Sequence, residues 1–228
     1  MQSGQMLERL ARDFSRVLPF ARFVAPTAPT IPSPFGVGPI WFDLLDKSSA
    51  TNRVMQESCE ELSGILDMEM ARGIPAERII VLGFSAGGIL AGYAALQAPQ
   101  KMGGLVLLGT SGVQKYRPDA MGELARMSRL QVLQCHGEAD TMVSLGEAQE
   151  NSDYMKSLGF PLRFLSYPDV GHIVPPDMFD EVRSWLVQRL SATEASVSSD
   201  LGAGTGAARQ ISGASSNSEV RQSMSDEG

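Results

Sequence analysis

Three residue types in this chain could act together in nucleophilic chemistry: a serine on a glycine-flanked turn, a histidine to take its proton, and a carboxylate to orient that histidine. The serine is Ser85, in Gly83-Phe84-Ser85-Ala86-Gly87. Gly-x-Ser-x-Gly suits a sharp strand-to-helix turn that lifts a hydroxyl clear of a sheet, because a Cβ beside the serine strikes the neighbouring strand or helix. At a helix start the serine lies among unpaired backbone N–H groups, with that of Ala86 the nearest donor to a developing oxyanion. The same spacing also occurs in plain tight turns, so its flanks decide. Ile79-Ile80-Val81-Leu82 ahead of it reads as a buried strand, and Ile89 to Leu96 after it as a helix with little polar surface.

The chain holds two histidines. His172 lies in Asp169-Val170-Gly171-His172-Ile173-Val174-Pro175, past a predicted strand ending at Tyr167 and so at a strand's carboxyl end. His136 closes another predicted strand, ahead of Gly137-Glu138-Ala139-Asp140. The chain order nucleophile, acid, histidine selects His172 as the base and places the acid between the two. Asp140 is the best-placed acid, with Glu138 and Asp169 as alternatives. His136 reads as structural, bracing the acid loop, with direct catalytic work as its alternative.

The elements that must position these residues alternate. Residues 5–18 carry apolar residues at helical spacing, and Phe20 to Val24 reads as a short strand. Prolines 26, 29, 32 and 34 then predict a rigid, extended surface loop without regular structure, followed by Trp41-Phe42-Asp43. Residues 50–71 form a long helix whose Glu57, Glu60, Glu61 and Asp67 read as a solvated face rather than a metal site. Further strands are expected at 104–109, 130–135 and 162–167, and helices at 145–158 and 178–190, with a short helix at 121–127. Strands alternating with helices give an α/β fold with a mostly parallel sheet. From residue 192 Ala, Gly, Ser, Asp and Glu dominate and no aromatic appears, so 1–191 reads as one domain and 192–228 as a disordered tail.

Composition narrows the function classes. With 228 residues, 43% hydrophobic and 20% charged, the chain suits one globular domain. A net charge of −7 disfavours nucleic acid or an anionic membrane as the main partner. No apolar run reaches membrane-spanning length and no secretory h-region opens the chain, which predicts a cytoplasmic protein with Cys59 and Cys135 as reduced thiols.

The run Gly73 to Gly88 resembles the acyl-protein thioesterase family, also called the phospholipase/carboxylesterase family, of the α/β-hydrolase superfamily. So do Leu133 to Val143, with their His-Gly pair before the acid, as well as Pro26-Thr27-Ala28-Pro29, Trp41-Phe42-Asp43 and Tyr167 to His172. The resemblance spans residues 3–190 in collinear order. It implies an α/β-hydrolase fold, a Ser85–His172–Asp140 triad and an Ala86 oxyanion donor. It also implies no cofactor or metal, and an acyl pocket near Trp41, Met142 and Val143; unaided, Trp41 reads rather as a core plug. The implied substrates are S-acylated proteins, lysophospholipids or carboxylic esters, with at most transient membrane contact; a small-molecule carboxylesterase is the runner-up. Two departures stand out. Ala86 replaces the family's usual glutamine. Ser3-Gly4-Gln5 resembles the segment just after the family's first strand and its His-Gly-x-Gly-Asp loop, the source of a second oxyanion N–H. Losing one such donor costs about 2.7–4 kcal/mol of transition-state stabilisation. The expectation is therefore an N-terminally truncated hydrolase with two strands short of a ladder partner and weakened or lost turnover. The alternative is a non-catalytic acyl-binding pseudoenzyme.

Overall fold

The computed structural model describes residues 12–33, 36–43, 49–112 and 130–203. The start of the expected helix 5–18, up to residue 11, and the expected helix at 121–127 lie outside the described residues, as does the tail from 204. In chain order the elements are α1 (12–17), β1 (Thr30–Ser33), β2 (Gly36–Pro39), α2 (Ser49–Ala71), a 3₁₀ turn (Ala76–Arg78), β3 (Ile80–Phe84) and α3 (Ala86–Gln97). There follow β4 (Gly104–Leu108), β5 (Val132–Gly137), α4 (Leu145–Ser157), β6 (Leu162–Tyr167) and α5 (Pro176–Ala203).

Strands β3 to β6 form one four-stranded sheet in the order β3-β4-β5-β6, parallel at every step. The connections β3–α3–β4 and β5–α4–β6 carry helices because parallel neighbours need a long crossover. Strand β4 is buried along its whole length, and its side chains alternate between two cores. Leu105 and Leu107 join Leu66 of α2, Ala91, Ala94 and Ala95 of α3 and Met155 of α4. Val106 and Leu108 join Phe14 of α1 and Met178, Val182, Trp185 and Leu186 of α5 on the other face. A third cluster, Phe42, Met55, Cys59, Ile89 and Leu90, seals α2 against α3. Small residues set the tight spots: a Cβ on Gly104 would lie 2.5 Å from the Trp185 ring. Helix α4 starts on a reciprocal capping box, Ser144 with Glu147.

Three expectations are corrected. Residues 20–24 do not form a strand. Ala21 and Phe23 pack inward while Phe20, Arg22 and Val24 face out, so the extended alternation is present, but a strand also needs a hydrogen-bonded neighbour and none pairs with it among the described residues. The proline loop is not free of regular structure: β1 and β2 pair antiparallel from Thr30–Pro39 to Ser33–Gly36. A two-stranded ribbon leaves every residue an outer edge, and that edge tolerates a missing proline N–H. Helix α5 runs on to Ala203, past the boundary expected at 191, because residues 191–201 contain no glycine or proline to stop it. Glu57, Glu60, Glu61 and Asp67 of α2 are exposed, as read from their spacing, whereas Glu69 is buried and paired with Arg22 and Arg72. Both cysteines are free and buried, and burial pushes each thiol up to about 12, so neither is a thiolate nucleophile.

Candidate active site

Four loops leave the carboxyl ends of the parallel strands, the edge where such sheets build their sites. Ser85 follows β3, Thr110 follows β4, Asp140 follows β5 and His172 follows β6. Ser85 has φ 56° and ψ −127°, a strained conformation for a residue with a side chain. Glycine makes the bend feasible. A Cβ on Gly83 would lie 2.1 Å from the Gly87 carbonyl oxygen, and one on Gly88 would lie 2.6 Å from Thr110 Cγ2.

Ser85 occupies the N-cap of α3, yet its hydroxyl does not cap that helix. It meets His172 Nε2 at 2.9 Å instead, and His172 Nδ1 meets Asp140 Oδ2 at 2.7 Å. With Nδ1–H donated to the carboxylate, Nε2 carries the lone pair and accepts the serine hydroxyl. The Asp140 side chain is fully buried. Burial by itself would raise its carboxyl, but the Val143 N–H (2.9 Å), the His172 ring and the Met142 N–H (2.8 Å) together hold it below the usual carboxylate range. The His172 ring lies against Phe84, with centroids 4.7 Å apart. Gly109, at φ +50°, leaves room for both rings.

The alternatives read from the sequence lie elsewhere. Glu138 is exposed and accepts from the Ser166 hydroxyl at 2.7 Å, and Asp169 is an exposed turn residue at φ 59°. His136 is fully buried. Its Nε2 donates to the Val143 carbonyl at 2.9 Å and lies 3.6 Å from Asp140 Oδ2, so it braces the loop that carries the acid. Trp41 is half-buried against the third cluster, and its indole Nε1 lies 3.5 Å from the position a Cβ on Gly87 would take. Met142 is 54% exposed on the acid loop, whereas the Val143 side chain is buried. Ala86 is the first residue of α3, a position whose N–H has no acceptor within its own helix.

Sequence reasoning passed over Thr110. Its hydroxyl donates to the Ser85 carbonyl at 2.8 Å, and the Ser85 N–H donates to the Leu108 carbonyl at 2.9 Å. A threonine after an apolar strand carries no signal of such a contact, which links residues 25 apart.

Residues 3–190 match the phospholipase/carboxylesterase family. The chain is 30% identical over 171 residues to lysophospholipase-like protein 1 of Mus musculus, covering 73% of this chain and 71% of that protein. It is 28% identical over 183 residues to acyl-protein thioesterase 1 of Gibberella zeae, covering 74% and 77%. Among solved structures, Arabidopsis thaliana SOBER1 aligns with a TM-score of 0.69 and 25% identity, covering 83% of this chain and 94% of that one. The fold is thus of the α/β-hydrolase type.

Proposed function

The chain belongs to the phospholipase/carboxylesterase family, and on that premise we propose that it hydrolyses acyl thioesters or esters through Ser85, His172 and Asp140 without a cofactor. The observation that carries this reading is the unbroken relay from Ser85 Oγ through His172 to Asp140, at 2.9 and 2.7 Å, on a strained turn at a helix N-terminus. As His172 Nε2 takes the hydroxyl proton, Ser85 Oγ attacks the acyl carbonyl carbon. The carbonyl oxygen becomes an oxyanion at the start of α3, where the Ala86 N–H and the helix dipole favour negative charge. As the intermediate collapses, the thiol or alcohol leaves with the proton from His172 and the acyl group stays on Ser85. Water then attacks this acyl-serine and gives a proton to His172. The fatty acid is released as that proton returns to Ser85 Oγ. Asp140, held ionised by its hydrogen bonds, keeps Nδ1 protonated and stabilises the imidazolium formed in each half-reaction.

The relatives' names point to S-acylated proteins, lysophospholipids and carboxylic esters as substrates, with Trp41 and Met142 as walls of the acyl site beside the turn. Among the described residues no helix is long and apolar enough to cross a membrane. The test is labelling of the purified chain by a fluorophosphonate, read by intact mass beside Ser85→Ala, together with turnover of short- and long-chain acyl thioesters. One adduct per wild-type chain, absent from the mutant, is the expected result. A folded chain that neither labels nor turns over overturns the reading.

A further inference from the structure

We propose that Thr110 is a positioning residue that aims the Ala86 N–H at the acyl oxygen, acting through the peptide plane which that N–H shares with the Ser85 carbonyl. The proposal rests on the hydrolase reading of Ser85. A trans peptide group is planar, with its C=O and N–H pointing in opposite directions, and no cis peptide bond occurs among the described residues. Whatever fixes the Ser85 carbonyl therefore fixes the direction of the Ala86 N–H. The two closest donors to that carbonyl are the Thr110 hydroxyl at 2.8 Å and the Gly88 N–H at 2.9 Å, with the Ile89 N–H of the same helix following at 3.4 Å. The second belongs to α3 and moves with it. The first comes from the loop after β4 and ties the turn to a different strand.

Thr110 is itself anchored. It is 1% exposed, and its methyl group lies against Gly88, where a Cβ would meet it at 2.6 Å. Behind it, Gln134 Nε2 approaches the Thr110 carbonyl at 3.4 Å and donates to the Ala148 carbonyl at 2.9 Å, while Gln134 Oε1 accepts from Asn151 at 3.1 Å. Gln134 and Asn151 are fully buried. Buried polar groups of this kind are expensive to desolvate, and apolar residues would fill the space at least as well for stability alone. Their placement here holds the tie to the turn in register. Donation into the Ser85 carbonyl also polarises the peptide, which strengthens the N–H on its other side.

The test is kcat and KM for an acyl ester, measured per active site titrated with fluorophosphonate, in wild type, Thr110→Val and Thr110→Ser. Valine keeps the shape and loses the hydroxyl; serine keeps the hydroxyl. Thr110→Val is expected to lower kcat about 10- to 100-fold with KM unchanged, short of the about 10²- to 10³-fold for outright loss of an oxyanion donor. Affinity for a trifluoromethyl ketone, which forms the oxyanion, should fall in parallel, and Thr110→Ser should recover most of the rate. Wild-type kcat in Thr110→Val, or a serine variant as slow as the valine one, overturns the proposal. If Thr110→Val does not fold, equal kcat in Thr110→Ser and Thr110→Ala overturns it, and a faster serine variant supports it. Wild-type turnover with no effect at Thr110 sinks this proposal alone; a wild type without Ser85-dependent turnover sinks the hydrolase reading, and this inference with it.

Discussion

Asp140 illustrates how one side chain can be costly to bury and still hold a charge. Desolvation disfavours its ionised form, and two backbone N–H groups with the His172 ring more than offset this. Its carboxyl therefore titrates lower in the folded chain than in the unfolded one, so folding is favoured wherever the unfolded carboxyl is already ionised. That contribution is lost as pH falls through the depressed folded value. The acid limb of thermal stability should accordingly be shallower in Asp140→Asn than in wild type. Scanning calorimetry from neutral pH downward checks this, and parallel limbs would remove the linkage. Activity in the same variant should fall about 10⁴-fold if Asp140 sets the histidine tautomer. At this scale Ser85, Asp140 and His172, which hydrogen bonds bring together, could be singled out as candidates in the sequence, because the groups proposed to react come in fixed types and a fixed chain order. Thr110 could not, because a hydroxyl-to-carbonyl tie depends on which loops meet.

The element that transmits geometry to the site is the β3–α3 turn. Its glycines are fixed by contact rather than by flexibility alone: a Cβ on Gly83 would fall 2.1 Å from a backbone oxygen, which no side-chain rotation relieves. Gly83→Ala should therefore lower stability by about 1–3 kcal/mol, the usual range for overpacking, and reduce kcat further by tilting the start of α3. Urea unfolding and active-site titration separate the two effects, and a stable, fully active alanine variant would show that the turn can give way. Element types in the sheet were readable from apolar runs and turn residues. The β1–β2 ribbon was not, because proline's missing N–H argues against strands only where both edges are paired. The segment at 20–24 shows the converse. Its alternation is strand-like, yet a strand requires a neighbour that local sequence does not specify.

For the whole molecule, β4 is the shared wall of two cores. Leu107 faces α2 and α3 while Leu108 faces α1 and α5, and both are fully buried. Leu107→Ala and Leu108→Ala should each cost about 2–5 kcal/mol and each shift one common unfolding transition. Two separable transitions in circular dichroism and tryptophan fluorescence would mean that the layers unfold independently. The sequence by itself determined the alternating α/β order and the strand-to-helix turn, and it singled out the three residues proposed for the relay, since these rest on periodicity, turn chemistry and residue type. Tertiary structure alone decided what grips them: the tie from Thr110 to Ser85, the Gln134–Asn151 support and the closeness of Trp41 to the turn. These are contacts between residues far apart in the chain, and distance in space depends on how layers pack, which no local pattern encodes.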